Sequence, residues 1–275
     1  FYANYNGFAQ ASDVKVIAVT SKIEDNFALP STELFEKKIN NRTKAILICN
    51  PCNPTGYVYS KEEIVNIANL AKKNDLFIIV DEVYREFIYS DLKHFSILED
   101  ETFFDNAILI DSTSKRYSLC GARIGFIVSK NSKFIETCMK FALARLSPPT
   151  VALIAANNAL KSDNKYIDNV IKEYSMRRKV LIGELSKINN IEFSDPMGAF
   201  YSIIKLPVKN AEEFAKFLLT DFSINNESVM LAPAAGFYSS IDSGKDEVRI
   251  AFVLNSEKIK RAINIINIGL KEYIG

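Results

Sequence analysis

Short apolar, β-branched runs alternate with stretches of helical periodicity through the first half of the chain. Between residues 60 and 75, apolar side chains recur at helical spacing behind Ser60, which predicts a helix over Lys61–Asn74 with Ser60 as its N-cap. Strands are predicted at Lys15–Thr20, Ala45–Asn50, Phe77–Asp81, Ala107–Asp111 and Ile124–Ser129. Strands that are apolar on both faces and alternate with helices predict a mostly parallel sheet covered on both sides.

The pattern changes near Pro149. A helical stretch is predicted over Thr150–Lys187, with a break around Ser162–Asn164. It is followed by a strand at Ala199–Lys205, a helix at Ala211–Asp221 and a strand at Val248–Leu254. The last predicted helix is capped by Asn255 or Ser256 and has four apolar residues on one face: Ile259, Ile263, Ile266 and Leu270. The fold class is therefore α/β, with a large domain over residues 1–165 and a smaller α+β domain over residues 166–275.

Composition narrows the function mainly by exclusion. A formal net charge of +1 over 275 residues argues against nucleic acid as the main partner, because neutralising phosphates needs a basic surplus. The longest apolar runs, such as Phe77–Val80, are too short to cross a membrane. Four cysteines without a secretory signal favour a cytoplasmic location.

Cysteine and histidine offer little site chemistry. Cys49 and Cys52 form a C-x-x-C pair, but no second pair or histidine cluster accompanies them, so no metal site is predicted and a structural role is favoured. The single histidine, His94, lies in a polar stretch and is interpreted as a surface residue. Acid–base chemistry must then come from lysine, tyrosine, aspartate or glutamate.

Polar residues follow three of the predicted strands. Asn50–Gly56, Asp81–Tyr84 and Ser112–Lys115 all begin where a strand ends, and ligands of open α/β sheets bind at that edge. Asp81 ends a strand predicted to be buried, so its carboxylate needs a partner: a protonated ring nitrogen, an arginine or backbone amides.

The segment after the third strand has the composition of a phosphate site. Ser112 and Ser114 supply hydroxyls and Arg123 supplies a guanidinium, while the chain contains no P-loop motif. Lys115 beside such a phosphate is either a counter-ion or, next to a cofactor aldehyde, the amine that forms a Schiff base.

Taken in order, these segments resemble one family over essentially the whole chain. The segments are Asn50–Gly56 (N-P-x-N-P-T-G), Asp81–Tyr84 (D-E-V-Y), Ser112–Lys115 followed by Arg123, and Val248–Ala251 (V-R-I-A). They are similar to those of class I/II aminotransferases of fold type I, which use pyridoxal 5'-phosphate (PLP), and most of all to aspartate aminotransferases. The resemblance implies a homodimer, and it implies that an N-terminal part precedes Phe1.

The resemblance also implies roles around the cofactor ring. Lys115 would form the Schiff base and then move the proton between the substrate α-carbon and the cofactor. Asp81 would keep the pyridine nitrogen protonated. Asn53 and Tyr84 would hydrogen-bond the phenolic oxygen, and Tyr2 would stack on the ring.

The remaining implied roles concern the phosphate and the substrate. Ser112, Ser114 and Arg123 would bind the phosphate. Arg249, with Asn53, would bind the substrate α-carboxylate.

The function expected from the resemblance is transfer of an amino group between an amino acid, with aspartate favoured, and a 2-oxo acid. Two alternatives remain open. The same residues would serve a PLP-dependent C–S β-lyase, and the chain could be a non-catalytic dimerising domain derived from an aminotransferase.

Overall fold

The computed structural model describes residues 1–89, 91–163, 165–240 and 242–275, which divide into two compact units. The parallel-sheet unit comprises Leu29–Cys52 and Val58–Ile171, and the antiparallel-sheet unit comprises Phe1–Ala28, Asn53–Tyr57 and Lys172–Gly275. The division into domains at 1–165 and 166–275 stays a prediction. The units differ from it by grouping residues 1–28 and 53–57 with the C-terminal residues.

Both units contain helices and strands. The helices are α1 Asn4–Ala11, α2 Thr32–Glu36, α3 Lys61–Lys73, α4 Thr113–Arg116, α5 Ser132–Arg145, α6 Thr150–Leu160, α7 Lys165–Leu185, α8 Ala211–Thr220 and α9 Ser256–Ile274. The strands are β1 Ala45–Cys49, β2 Phe77–Asp81, β3 Ala107–Ser112, β4 Gly125–Val128, β5 Glu192–Phe193, β6 Tyr201–Lys205, β7 Ala232–Pro233 and β8 Glu247–Ala251.

The parallel-sheet unit contains a sheet in the order β1-β2-β3-β4. The first three strands are parallel and β4 runs antiparallel to β3, so the predicted mostly parallel sheet is confirmed. The register places Cys49, Asp81 and Ile110 side by side, so β1 and β2 end at the same level and β3 extends two residues further. On the opposite face from the core, Leu47 and Ile127 stay exposed, which differs from the expected coverage of both sides.

Helix α3 forms as its sequence predicts. Ser60 and Glu63 make a capping box, in which the Ser60 hydroxyl accepts from the Glu63 amide and the Glu63 carboxylate accepts from the Ser60 amide. The apolar positions of the helix, among them Ile64 and Ile67, are fully buried in the core of the unit together with the inner faces of β1 and β2.

The antiparallel-sheet unit contains the sheet β5-β6-β8-β7, in which every pairing between described strands is antiparallel. Ile23 and Phe27 pack with Ile203 and Ala234 to form a small core cluster. Helix α9 buries the apolar face predicted for it, and Asn255 caps it by accepting from a backbone amide in its first turn.

Two parts of the chain differ from the prediction. The strand predicted at Lys15–Thr20 is wrong: this stretch joins neither sheet among the described residues, and Ile17 is exposed. Helix α5 was not predicted, and each of its residues is at least partly exposed. Of the predicted break at Ser162–Asn164, Asn164 lies outside the described residues. No helix in the described part of the chain is long and apolar enough to span a bilayer.

Candidate active site

The carboxyl edge of the parallel strands brings the predicted polar segments together. The Asn50 amide donates to the Asp81 carbonyl at 2.9 Å, and the Glu82 amide donates to the Ile110 carbonyl at 2.8 Å. These bonds continue the strand ladder one residue past Cys49 and Asp81. As a result, the first residues after β1 and β2, Asn50 and Glu82, lie in one row near the end of β3, as expected at the ligand-binding edge of such a sheet.

The turn after β3 carries Lys115 on the short helix α4. Ser112 caps this helix by accepting from the Ser114 amide at 3.1 Å, and its hydroxyl lies 2.9 Å from the Ser114 hydroxyl. Two hydroxyl groups thus sit at the start of the helix. Both predicted serine ligands are therefore brought together at the start of the helix that carries Lys115.

Arg123 is held beside the same turn by its neighbour in the chain. The Ile124 carbonyl accepts from the Thr113 amide at 3.2 Å and lies 2.9 Å from the Ser112 hydroxyl. Arg123 itself has a left-handed backbone, with φ of +59°, and its Nη1 donates to the Cys120 carbonyl at 2.9 Å. A non-glycine residue in this region costs conformational energy and is enriched at functional positions.

Lys115 and Tyr84 are in contact. The Lys115 Nζ lies 5.7 Å from the centre of the Tyr84 ring, and that ring is almost completely buried. An ammonium group at this distance interacts with the ring face. Asp81, at the end of β2, accepts from the Val83 amide through Oδ1 at 3.2 Å. A backbone amide is therefore one partner of the Asp81 carboxylate, and backbone amides were among the partners predicted for it.

Glu82 and His94 form a buried pair that the sequence did not predict. Glu82 is fully buried, and its carboxylate accepts from the Ser96 hydroxyl and the Ile97 amide, each at 3.0 Å. His94 Nε2 lies 2.8 Å from the second carboxylate oxygen, and only 13% of its side chain is exposed. The interpretation of His94 as a surface residue is therefore wrong. Its neighbours in the sequence are polar and indicate a surface loop, and they give no sign of the contact with Glu82.

In the antiparallel-sheet unit, Arg249 on β8 is held between two aromatic rings. Its guanidinium carbon lies 4.5 Å from the centre of the Tyr201 ring and 4.7 Å from that of Phe237. Its Nη1 donates to Asn53 Oδ1 at 2.9 Å, so the two residues predicted to bind the substrate carboxylate touch each other. The rings fix the guanidinium plane, and neither had been singled out from the sequence.

Gly56 explains how Asn53 reaches this position. Its φ is +73°, and a Cβ there would lie 2.3 Å from Pro196 Cβ and 2.8 Å from the Tyr201 carbonyl oxygen. The Gly198 amide donates to the Gly56 carbonyl at 2.8 Å. Only glycine allows this close approach, which fixes the end of the Asn50–Gly56 segment against the strand that carries Tyr201.

Tyr2 lies in the same unit as Arg249. Its ring packs edge-on against Tyr5, with centres 5.6 Å apart, and its hydroxyl accepts from Asn4 at 3.0 Å. These local contacts fix the orientation of the ring. The role predicted for it in cofactor stacking stays a prediction.

Glu247, at the start of β8, is paired with Tyr238. The Tyr238 hydroxyl donates to a Glu247 carboxylate oxygen at 2.6 Å. Burial raises the pKa of the Glu247 carboxyl, and burial together with the Glu247 contact raises the pKa of the Tyr238 phenol. The pair anchors the strand two residues before Arg249.

The residues present fit PLP, the cofactor that the motifs imply, and a substrate carboxylate. Arg249 Nε is buried and has no hydrogen-bond partner among the described residues, so the guanidinium retains a donor for a carboxylate. Ser112, Ser114 and Arg123 form a donor set suited to a phosphate, and Lys115 places an amine next to it. Within the described residues, no group of His, Cys, Asp and Glu side chains is arranged to hold a metal ion.

Fold and site together define an α/β protein with a lysine-bearing turn at the carboxyl edge of its parallel strands, and comparison with known proteins specifies the class. Residues 1–266 match the family model for aminotransferase class I and II. An aspartate aminotransferase of Pyrococcus abyssi is 33% identical over 94% of this chain, and aromatic-amino-acid aminotransferase 2 of Thermococcus litoralis is 30% identical over 94%. The crystal structure of an aspartate aminotransferase from Thermotoga maritima superposes with a TM-score of 0.86 at 30% identity, covering 98% of this chain and 68% of that one.

The chain belongs to the class I and II aminotransferase family. The resemblance stated from the motifs is thereby confirmed, as is the fold class. The chain spans 65% of the length of the Pyrococcus abyssi and Thermococcus litoralis relatives. Members of this family generally depend on PLP.

Proposed function

We propose that this protein uses PLP to transfer an amino group between an amino acid and a 2-oxo acid, with aspartate as its main amino acid. The observation that carries the proposal is the Lys115 turn: the Lys115 amine contacts the buried Tyr84 ring, and the paired hydroxyls of Ser112 and Ser114 lie at the start of the helix that carries Lys115. An amine beside an anion-binding turn is the arrangement that a phosphorylated aldehyde requires.

The residues of the parallel-sheet unit would hold the cofactor. Ser112, Ser114 and Arg123 would donate to its phosphate, and Asp81 would keep its ring nitrogen protonated. When bound, PLP supplies an electron sink for the electron pair released at the substrate α-carbon. Lys115 would bind the cofactor through Nζ and would then remove and return the proton at the α-carbon.

The residues of the antiparallel-sheet unit would orient the substrate. Arg249 would bind the α-carboxylate through its remaining donors, since Asn53 already fixes its Nη1. Asn53 and Tyr84 would also hydrogen-bond the phenolic oxygen of the cofactor, and Tyr2 would stack on its ring. Aspartate is proposed because several relatives near 30% identity are named aspartate aminotransferase, while the Thermococcus litoralis relative is named for aromatic amino acids.

The proposal includes the setting of the enzyme. A cytoplasmic homodimer with a large domain at 1–165 and a small domain at 166–275 is what the family resemblance and the cysteine content favour. Sedimentation of the purified protein tests the dimer directly. A monomer at all concentrations would refute it.

The test of the function is covalent trapping followed by turnover. The protein is incubated with PLP and reduced with borohydride, and peptide mass spectrometry locates the pyridoxyl group, with Lys115→Arg as the matched control. We expect the label on Lys115 and its loss in the variant. Labelling spread over other lysines would refute the site and favour a non-catalytic domain.

The reaction is then assigned with two substrate mixtures. Glutamate formed from aspartate and 2-oxoglutarate supports amino-group transfer. Pyruvate and ammonia released from cystine without any added oxo acid would instead assign the C–S lyase reaction.

A further inference from the structure

Four charged side chains pack against the Lys115 turn and have no role in the chemistry above. They form the charge cluster, defined as Arg85, Glu86, Asp111 and Arg116. Arg116 lies 2.8 Å from Asp111 and 2.8 Å from Glu86, while Arg85 lies 3.1 Å from Glu86 and 3.6 Å from Asp111. Each arginine therefore contacts both carboxylates, and the four charges close into a ring.

The cluster is too buried to be a surface ion pair. The exposed fractions of the side chains are 6% for Arg116, 8% for Asp111, 18% for Glu86 and 34% for Arg85. Burial disfavours the charge on Arg85, yet Asp111 and Glu86 more than offset this effect and raise its pKa. Buried ion pairs add little net stability over apolar side chains, so stability alone does not account for four of them here.

The cluster connects two segments that carry site residues. Asp111 contacts the residues on both sides of the Lys115 turn. Its Oδ1 accepts from the Ser112 amide at 2.7 Å, and its Oδ2 accepts from Arg116. Glu86 follows Tyr84 by two residues and contacts the same arginine. The cluster thus ties the residue after Lys115 to the segment that carries Tyr84.

We propose that the charge cluster is a positioning device for Lys115, which holds its amine against Tyr84 so that this lysine reacts with the aldehyde of the cofactor. The inference rests on the proposed function as far as the cofactor is concerned. Arg116 is its central member, because its planar fork contacts two carboxylates at once, which a lysine ammonium on a flexible stem does not reproduce. Arg116 does not itself touch the reacting atoms.

Arg116→Lys is the critical variant because it keeps the charge and removes the fork. Its matched control is Arg178→Lys in the antiparallel-sheet unit, where Arg178 also contacts a carboxylate, that of Asp195, and a carbonyl. Two readouts are taken on the full chain: the rate at which PLP becomes borohydride-trapped on Lys115, and the rate at which acetic anhydride acetylates Lys115 in cofactor-free protein. Thermal unfolding of each variant confirms that it is folded.

For Arg116→Lys we expect trapping on Lys115 to slow by about tenfold, because misplacing a reacting group by about 1 Å costs one to two orders of magnitude in rate. Acetylation of Lys115 should rise several-fold relative to that of the other lysines as the turn loosens. Arg178→Lys should change neither rate. Since the net charge is unchanged in both variants, these effects report position and not charge.

Each outcome decides between the two ideas. A folded Arg116→Lys protein with wild-type trapping and wild-type acetylation would overturn the positioning role. Absence of trapping on Lys115 in the wild type would refute the proposed function, and the acetylation readout would still decide whether the cluster holds Lys115. If Arg116→Lys does not fold, Glu86→Gln is measured instead; it retains the contact between Arg116 and Asp111, and an unchanged Lys115 in it would equally refute the proposal.

Discussion

Replacing Gly56 by alanine should destabilise the protein and disturb the Asn53 contact with Arg249. The added Cβ would meet Pro196 Cβ at 2.3 Å, Pro196 Cα at 2.7 Å and the Tyr201 carbonyl oxygen at 2.8 Å. Two of these three are backbone atoms, so no flexible side chain can move away. Relief requires displacement of the Asn50–Gly56 segment or of the strand that carries Tyr201.

Two effects set the magnitude. Alanine in a left-handed backbone costs roughly 1–2 kcal/mol, and an extra carbon forced into a packed site costs roughly 1–3 kcal/mol. Their sum, roughly 2–5 kcal/mol, should lower the midpoint of thermal unfolding by at least about 4 °C in a protein of this size. Because the Gly198 amide donates to the Gly56 carbonyl, the displacement should also reach Asn53, three residues earlier.

Thermal and urea unfolding followed by circular dichroism measure the effect. The control is Gly183→Ala in helix α7, where no atom apart from the adjoining backbone of the helix lies within 4 Å of the added Cβ and where alanine should stabilise the helix by about 0.5–1 kcal/mol. The two variants should therefore shift the midpoint in opposite directions. An equal or higher midpoint for Gly56→Ala would refute the close approach of the two segments.

Three further substitutions test other features. Ser60→Ala removes the hydroxyl that accepts from Glu63, and it should cost about 1 kcal/mol in urea unfolding. Glu247→Gln replaces a buried ionisable carboxyl by a neutral amide, whose oxygen can still accept from the Tyr238 hydroxyl. Because burial raises the pKa of Glu247 above its ordinary value of 4.5, the protonated carboxyl stabilises the fold at low pH and this contribution is lost as the pH rises through the folded pKa. The variant should thus gain stability relative to the wild type as the pH rises above 4.5. Arg249→Lys should raise the KM of the amino acid by about tenfold or more, since it loses a charged hydrogen-bonding fork.

Controls separate these effects from general damage. Ser31 precedes helix α2 without making a side-chain cap, so Ser31→Ala should cost less than Ser60→Ala; equal costs would contradict the cap assignment. For Glu247, a stability difference from the wild type that stays constant with pH would contradict the raised pKa. Arg261→Lys alters an exposed arginine, and a KM increase as large as that of Arg249→Lys would show that the effect is unspecific.

Local sequence signals predicted much of the fold. The β-branched runs of β1, β2 and β3 and the serine–glutamate spacing of α3 each act within a few residues, so they can be recognised without knowing the rest of the chain. The run at Lys15–Thr20 has the same character but joins neither sheet. Hydrophobic alternation indicates that a segment can pair, whereas pairing depends on a partner strand that the local sequence does not reveal.

The site was predicted where motifs are contiguous and missed where contacts are long-range. Lys115, Ser112 and Ser114 lie within four residues and were recognised together. Arg249 was recognised, but the rings of Tyr201 and Phe237 that enclose its guanidinium come from other strands and turns. In the sequence, the charge cluster is visible only as oppositely charged residues next to the D-E-V-Y segment and near Lys115. Charged residues on the surface of a protein give the same pattern, so the cluster cannot be recognised from the sequence.

The shared register of β1, β2 and β3 restricts how this chain can change in length. A residue inserted within β2 would turn every later side chain of the strand to the opposite face and would move Asp81 out of its row with Cys49 and Ile110. The same holds for β1 and β3. Insertions and deletions are therefore better tolerated in the connections between these strands than within the strands, whose length the register fixes.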